Sequence, residues 1–253
     1  MTQPVTYRRD WRLALSSLRK LLANGDDTTQ VFIIMRALNG TATPKGYHQL
    51  IATEQGARLA YQRVELAADR FSDPAFVASF APGTVGAAYR DWLAETGYSA
   101  QGLAEVSNLD GTEDPIPHPY AWFGRRQRDV HDIWHVLTGY KADETMGEAA
   151  LVGFSYAQTR GLGWALIAVG AALKSVRETG NKLFARAVWE GYRSGKRAKW
   201  LLGEDYEALM HEPLDAARAR LGIAEPVAYR RAQAVLGPAL ASYASRSKAA
   251  ALA

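Results

Sequence analysis

The sequence of 253 residues contains no cysteine. That excludes disulfides, thiolate metal sites and a cysteine nucleophile, so any metal must be held by His, Asp, Glu or other oxygen donors. Histidine is scarce, with five in the chain. Long apolar runs are missing too. The strongest, GLGWALIAVGAAL at 161–173, is 13 residues long, short of the roughly 20 that a membrane-crossing helix needs. It reads as a buried core helix; the sharper alternative is a helix that lines a lipid pocket or dips into a membrane interface. Neither sign of charge dominates, with 30 basic and 26 acidic residues and a net charge of +4. No RNA-binding, zinc-finger or glycine-rich phosphate-loop pattern occurs, so nucleic acid is not an expected partner. The amino-terminal stretch MTQPVTYRRDWRLALSSLRKLL lacks the unbroken apolar core of a secretory signal, and Asp10 with the later acidic residues argues against a mitochondrial presequence. The expected compartment is the cytoplasm.

What is there is helical periodicity. Trp11, Leu15, Leu18 and Leu22 recur at helical spacing up to Asn24-Gly25, and Thr28 to Leu38 reads as a second helix. TATPKGYHQLI reads as a turn because of Pro44 and Gly46. Further helices are expected over Thr53 to Ala67, after Ser72 as N-cap with Pro74 in the first turn, over Val85 to Thr96, onward to Val176, from Asn181 to Leu202, and from Tyr206 to Leu221. SNLDGTEDPIPHPY, with its prolines and Asp-Gly, is the clearest loop, and His118 within it reads as a loop residue rather than a ligand. GIAEPVAYRR introduces a last helix and a fraying tail. No alternation typical of strands and no repeat emerges. The expected fold is all-α, a single-domain multi-helix bundle, with 1–45 as a helical extension, 46–222 as the core and 223–253 as a final helix and tail.

RQRDVHDIWHVLTGY, Arg126 to Tyr140, places two of the five histidines in one helical turn. At about 100° per residue, Val130, Ile133, Trp134 and Leu137 form a core stripe, while His131, Asp132, His135 and Arg128 fall in a neighbouring polar sector. Histidines at i and i+4 stack along one face, the spacing of helical zinc sites. Two histidines beside an apolar stripe also commonly just hydrogen-bond at a core edge. On the next helix, Glu148 is placed either to close on the histidine pair or to complete a capping box with Thr145. Spacing alone leaves both pairs of alternatives open.

The ordered set of motifs resembles the coenzyme Q biosynthesis protein 4 family. HDxxH followed by a glutamate on the next helix is that family's signature. PGTVGAAYRDWL at Pro82–Leu93, RRQRDVHDIWHVLTGY and GYRSGKRAKWLLGEDYEALMHEPLDAARARLGI at Gly191–Ile223 resemble its flanking regions in the same order. Twelve residues separate His135 from Glu148, one more than in the family pattern; the extra residue fits the turn Tyr140–Thr145, where Glu144 is the neighbouring candidate. The resemblance implies a metal-binding, membrane-associated protein of ubiquinone biosynthesis that catalyses oxidative decarboxylation of a polyprenylated hydroxybenzoate-type precursor. The alternative it implies is a non-catalytic scaffold that binds prenyl lipid and gathers the other ubiquinone-biosynthesis enzymes.

Under that resemblance, His131, Asp132, His135 and Glu148 are the expected ligands of a divalent metal. Zinc is the first expectation, and iron, manganese and magnesium are compatible. Arg128 is the expected partner of the substrate carboxylate, with a solvated arginine as the bland alternative. A polyprenyl tail requires an apolar lipid-binding groove, for which Phe154, Trp164, Leu166, Ile167 and Val169 are candidates, with Gly161, Gly163 and Gly170 leaving room. Gly191 and Gly195 read as a close helix crossing. The basic run Arg193, Lys196, Arg197 and Lys199 reads as a solvated face that would also suit anionic lipid. The expected location is then peripheral, on the inner face of the cell membrane, with a homodimer as a further expectation.

Overall fold

The computed structural model describes residues 7–25, 27–102 and 119–237. Among them no strand forms; Thr84 and Pro213 make an isolated bridge. Helix α1 (Trp11–Ala23) starts where Asp10 accepts a hydrogen bond from the Leu13 amide and stops at Asn24. Helix α2 covers Thr28–Leu38, as its periodicity predicts. The turn expected at TATPKGYHQLI is instead helix α3, Ala42–Ile51. Pro44 sits in the first helical turn, where an N–H has no intrahelical partner to lose. Gly46 is there for packing, because a Cβ would lie 2.6 Å from the Phe123 ring.

Helix α4 (Glu54–Gln62), capped by Thr53, stops short of Ala67. Arg63 turns left-handed at φ 53°, and the chain winds into a π-helical turn at Leu66–Phe71. Helix α5 is Pro74–Ala78, and its N-cap is Asp73 rather than Ser72; the Ser72 hydroxyl donates back to the Ala68 carbonyl. Helix α6, Val85–Thr96, runs as expected from Thr84 to Gly97. The loop SNLDGTEDPIPHPY, with His118, lies outside the described residues as far as its last two, Pro119 and Tyr120.

Next come α7 (Tyr120–Asp129), α8 (His131–Thr138), α9 (Thr145–Thr159), α10 (Leu162–Thr179) and α11 (Leu183–Arg197). Helix α11 ends before Leu202 because the Gln158 side chain intervenes. Its amide donates to the carbonyls of Gly195 and Lys199, and its oxygen accepts from the Leu201 amide. A 3₁₀ turn follows at Leu201–Gly203. The single helix expected over Tyr206–Leu221 is two, α12 (Tyr206–Leu209) and α13 (Leu214–Leu221). The break presents the Met210 and Glu212 carbonyls to the amides of Gly86 and Val85 at the start of α6, which lack intrahelical partners. A last helix, α14, spans 227–237.

The core is one cluster that reaches from Ala14 and Leu18 of α1 to Leu236 of α14. Helix α9 runs through its middle, buried along most of its length. Its crossing with α11 is close because glycines meet backbone. A Cβ on Gly191 would sit 2.1 Å from the Ala150 carbonyl oxygen, one on Gly195 2.6 Å from that of Phe154, and one on Gly153 2.6 Å from that of Val188. The close crossing expected of Gly191 and Gly195 is thus what forms. The space beside two glycines of α10 is taken up by the protein itself, by Met35 of α2 at Gly163 and by Leu18 of α1 at Gly170. Phe154 is wholly buried against Trp134. Among the described residues no helix is long and apolar enough to cross a membrane. Val169 and Leu173 are nevertheless exposed, at 56% and 66%.

Candidate metal centre

Helix α8 carries both signature histidines. It is a separate short helix, divided from α7 at Val130. Val130, Ile133, Trp134 and Leu137 are buried as the core stripe predicts. The neighbouring polar sector is no solvent-facing edge, since His135 and Asp132 are buried as well. Arg128, expected in that sector, is engaged by its neighbour. Its guanidinium turns to Asp129, with Nε at 3.0 Å and a terminal nitrogen at 2.8 Å from Oδ1. Nor do its neighbours form a solvated run: Arg125 pairs with Glu65, and Arg126 is buried over the Tyr206 ring.

Gly139 ends α8 in the left-handed conformation at φ 73°, which swings the next residue back toward the helix. The Tyr140 carbonyl thereby lies 2.8 Å from His135 Nδ1. A carbonyl only accepts, so Nδ1 carries the hydrogen and, in the neutral ring, Nε2 keeps its lone pair. A backbone carbonyl that fixes the tautomer of a ring aimed elsewhere is the usual support of a metal-ligating histidine. His135 Nε2 lies 3.2 Å from Glu148 Oε1, and His131 Nδ1 lies 3.5 Å from Asp132 Oδ1. Neither contact has hydrogen-bond geometry, and both ring nitrogens are buried without a hydrogen-bond partner. Each such orphan costs about 1–3 kcal/mol.

The donor atoms of His131, His135 and Glu148 all lie within 4.8 Å of one another. Ligands of a tetrahedral cation stand roughly 3.4 Å apart, given metal–nitrogen distances near 2.1 Å. Small side-chain rotations therefore close the set around one ion, and two orphaned imidazole nitrogens with a carboxylate suit a divalent cation. A cation held by these three side chains would keep one tetrahedral position open. Indoles back both rings: Trp92 stacks on His135 at 6.0 Å and Trp164 on His131 at 5.7 Å.

Asp132, the fourth expected ligand, does not join this group. Adjacent helical residues do not share a face, and its charge, besides lying near His131, bears on His135 and the Tyr89 hydroxyl. Glu148 does not close a capping box: α9 has no side-chain cap, and the carboxylate turns to His135. Glu144 is directed to α14, accepting from Tyr229 and Gln233. Of the two glutamates, Glu148 is the one beside the histidines.

The electrostatics follow from this geometry. Burial opposes protonation of His135, but the Glu148 charge, the contact with it, Asp132 and the Tyr140 carbonyl outweigh burial and raise its pKa. Burial likewise opposes ionisation of Glu148, yet His135, with help from His131, holds its carboxyl below the ordinary range. The Glu148 side chain keeps 42% of its surface exposed, so the centre is open on that side. Sequence reasoning missed the Tyr140 carbonyl, the Trp92 backing and Arg218. The Arg218 guanidinium donates to the carbonyls of Leu137 and Val136 at 3.0 and 3.1 Å, capping the last turn of α8. Gly139 was the available signal for the first; nothing local marked the other two.

The family described as “Coenzyme Q (ubiquinone) biosynthesis protein Coq4” matches residues 3–227. “Ubiquinone biosynthesis protein coq-4, mitochondrial” from Neurospora crassa is 28% identical over 200 residues, covering 77% of this chain and 54% of its own length. “Ubiquinone biosynthesis protein COQ4 homolog, mitochondrial” from Danio rerio is 33% identical over 148 residues, covering 57% of this chain and 51% of its own. The chain thus matches about half the length of these two relatives. A crystal structure from Nostoc punctiforme, provisionally described as a ubiquinone biosynthesis protein, aligns with a TM-score of 0.59 at 19% identity, over 85% of this chain and 99% of that one. That likeness is one of fold.

Proposed function

This chain belongs to the Coq4 family of coenzyme Q (ubiquinone) biosynthesis proteins, and we propose that it is a metal-dependent oxidative decarboxylase of that pathway. The observation that carries the reading is the pair of buried, unpartnered ring nitrogens of His131 and His135 facing the Glu148 carboxylate. His131 Nδ1, His135 Nε2 and Glu148 would hold a divalent cation, with zinc the first candidate. When bound, such an ion supplies Lewis acidity toward a phenolate or carboxylate oxygen. The substrate class is a polyprenylated hydroxybenzoate-type ring. Its carboxyl leaves as carbon dioxide and a hydroxyl with its oxygen from water replaces it, which releases two protons and passes two electrons to an acceptor from outside the chain.

The chain's own groups have distinct parts in this reading. Tyr140 keeps the His135 proton on Nδ1 and away from the ligand side. Trp92 and Trp164 wall the imidazoles and exclude water from their faces. The exposed flank of Glu148 leaves the approach for the ring. Arg128, committed to Asp129, is given no part in substrate binding. The prenyl tail requires delivery from a lipid phase, and the exposed Val169 and Leu173 on the helix that carries Trp164 support action at a membrane surface.

Metal analysis of the purified protein, followed by a single-turnover assay with a prenylated hydroxybenzoate and an oxidant, tests the proposal. One bound cation per chain and loss of the ring carboxyl are expected, both abolished in His135→Ala. Full turnover by metal-free His135→Ala refutes the mechanism. No product from metal-loaded wild type, with prenyl lipid and partner enzymes retained, points to a scaffold instead.

A further inference from the structure

The two helices that carry the ligands are joined by a turn, residues 139–144, and the geometry of that turn decides where Glu148 stands relative to His135. The chain does not leave it to local preference. The Tyr229 hydroxyl of α14 accepts a hydrogen bond from the Lys141 amide at 3.0 Å and donates one to Glu144. Gln233, one turn further along α14, donates to the same Glu144 oxygen at 3.1 Å. The Tyr229 ring meets Tyr140 edge-on at 5.1 Å, and Tyr140 supplies the carbonyl that orients His135. Tyr229 is wholly buried.

Helix α14 is itself fixed. Glu190 of α11 accepts from the amides of Ala228 and Tyr229 at 2.8 and 2.9 Å, capping the start of α14 with a charge that the helix dipole favours. Helix α11 is locked against α9 through its glycines. On the other side of the turn, Gly147 lets α9 begin directly against it, since a Cβ there would lie 2.0 Å from the Lys141 carbonyl oxygen. The contacts therefore close a ring: α9 to α11, α11 through Glu190 to α14, α14 through Tyr229 to the turn, and the turn back to α9 one residue before Glu148. The family match ends at residue 227, so Tyr229 and Gln233 lie beyond it.

We propose that α14 is a clasp on the metal centre, in which Tyr229 is a positioning residue that fixes the turn between the ligand-bearing helices and so sets the separation of Glu148 from His135. This rests on the metal reading above. Tyr229→Phe keeps the ring packing and removes both hydrogen bonds at once. Supporting groups of this kind commonly contribute 10–100-fold to metal affinity. The variant is expected to bind Co²⁺ and Zn²⁺ about tenfold or more weakly, and its Co²⁺ absorption spectrum should change in position or intensity as the ligand set loosens. Glu144→Ala should follow it, whereas Glu144→Gln, which keeps an acceptor for the hydroxyl, should stay near wild type. Should Tyr229→Phe fail to fold, Glu144→Ala with Gln233→Ala carries the same test. Wild-type affinity and an unchanged Co²⁺ spectrum in Tyr229→Phe, even with a lowered melting temperature, overturn the clasp and leave the metal reading standing. Wild type that takes up no cation overturns the metal reading, and the clasp with it.

Discussion

Adding a divalent cation at a hundred times its dissociation constant should raise the melting temperature of the metal-free protein. The stabilisation follows from mass action, about 2.7 kcal/mol at that excess. For a chain of this size each kcal/mol shifts melting by about 2–4 °C, giving a rise of about 5–11 °C. The structure says where this would come from: His131 Nδ1 and His135 Nε2 are buried without a hydrogen-bond partner, and an ion would give each a partner. His135→Ala removes one of three converging donors and should abolish the rise. It also leaves the Tyr140 carbonyl without its donor, so the metal-free variant should itself melt lower. Differential scanning fluorimetry in EDTA and then in excess Zn²⁺ or Co²⁺ reads both effects. If His135→Ala shows the same cation-induced rise as wild type, the ion binds elsewhere and the orphaned nitrogens have been misread.

Three further outcomes are expected. Gly191→Ala puts a methyl 2.1 Å from the Ala150 carbonyl oxygen and should destabilise by about 1–3 kcal/mol through overpacking, read as a lowered denaturation midpoint; an unchanged midpoint would mean the α9–α11 crossing is looser than described. Arg218→Met strips the donors from the Leu137 and Val136 carbonyls and should cost about 1–3 kcal/mol while weakening cation binding, because those carbonyls end the histidine helix; stability and cation affinity both equal to wild type contradict this. In EDTA, the His135 contribution, with its pKa raised above 6.5, is fully present below pH 6.5 and fades as pH rises through the raised value. The Glu148 contribution, with its pKa lowered below 4.5, is present above pH 4.5 and fades as pH falls through the lowered value. The melting difference between wild type and Glu148→Gln should therefore be largest between about pH 4.5 and 6.5; a difference flat from pH 4 to 9 counts against the pair.

The fold class and most helix positions are legible because apolar spacing and caps are local signals. Thr28–Leu38 and Val85–Thr96 form as their periodicity predicts. The errors have a common physical origin in side chains and backbone groups that act across long sequence separations. Gly46 and Pro44 look like a turn until Phe123 is seen to need the glycine's space. Tyr206–Leu221 looks continuous until α6 is seen to draw on the carbonyls between its halves. Gly163 and Gly170 look like room for a lipid until α2 and α1 fill it.

The metal centre divides along the same line. The i, i+4 pair and the glutamate beyond it are local in sequence, and the structure brings His131, His135 and Glu148 together. A helical projection also placed Asp132 and Arg128 in that sector, and both placements depended on assumptions that sequence cannot check. For Arg128 the assumption was a guanidinium left for a ligand, whereas Asp129 engages it. For Asp132 it was that a neighbour about 100° round the helix reaches the same point as His131, although the donors that converge come from two helices rather than one. Glu148 approaches from α9, so its place beside the histidines is set by how α8 and α9 are joined. That makes the turn 139–144 the element on which the centre depends most, and its anchors at Tyr140, Lys141 and Glu144 all lead to Tyr229, a residue nearly a hundred positions from the histidines it helps to align.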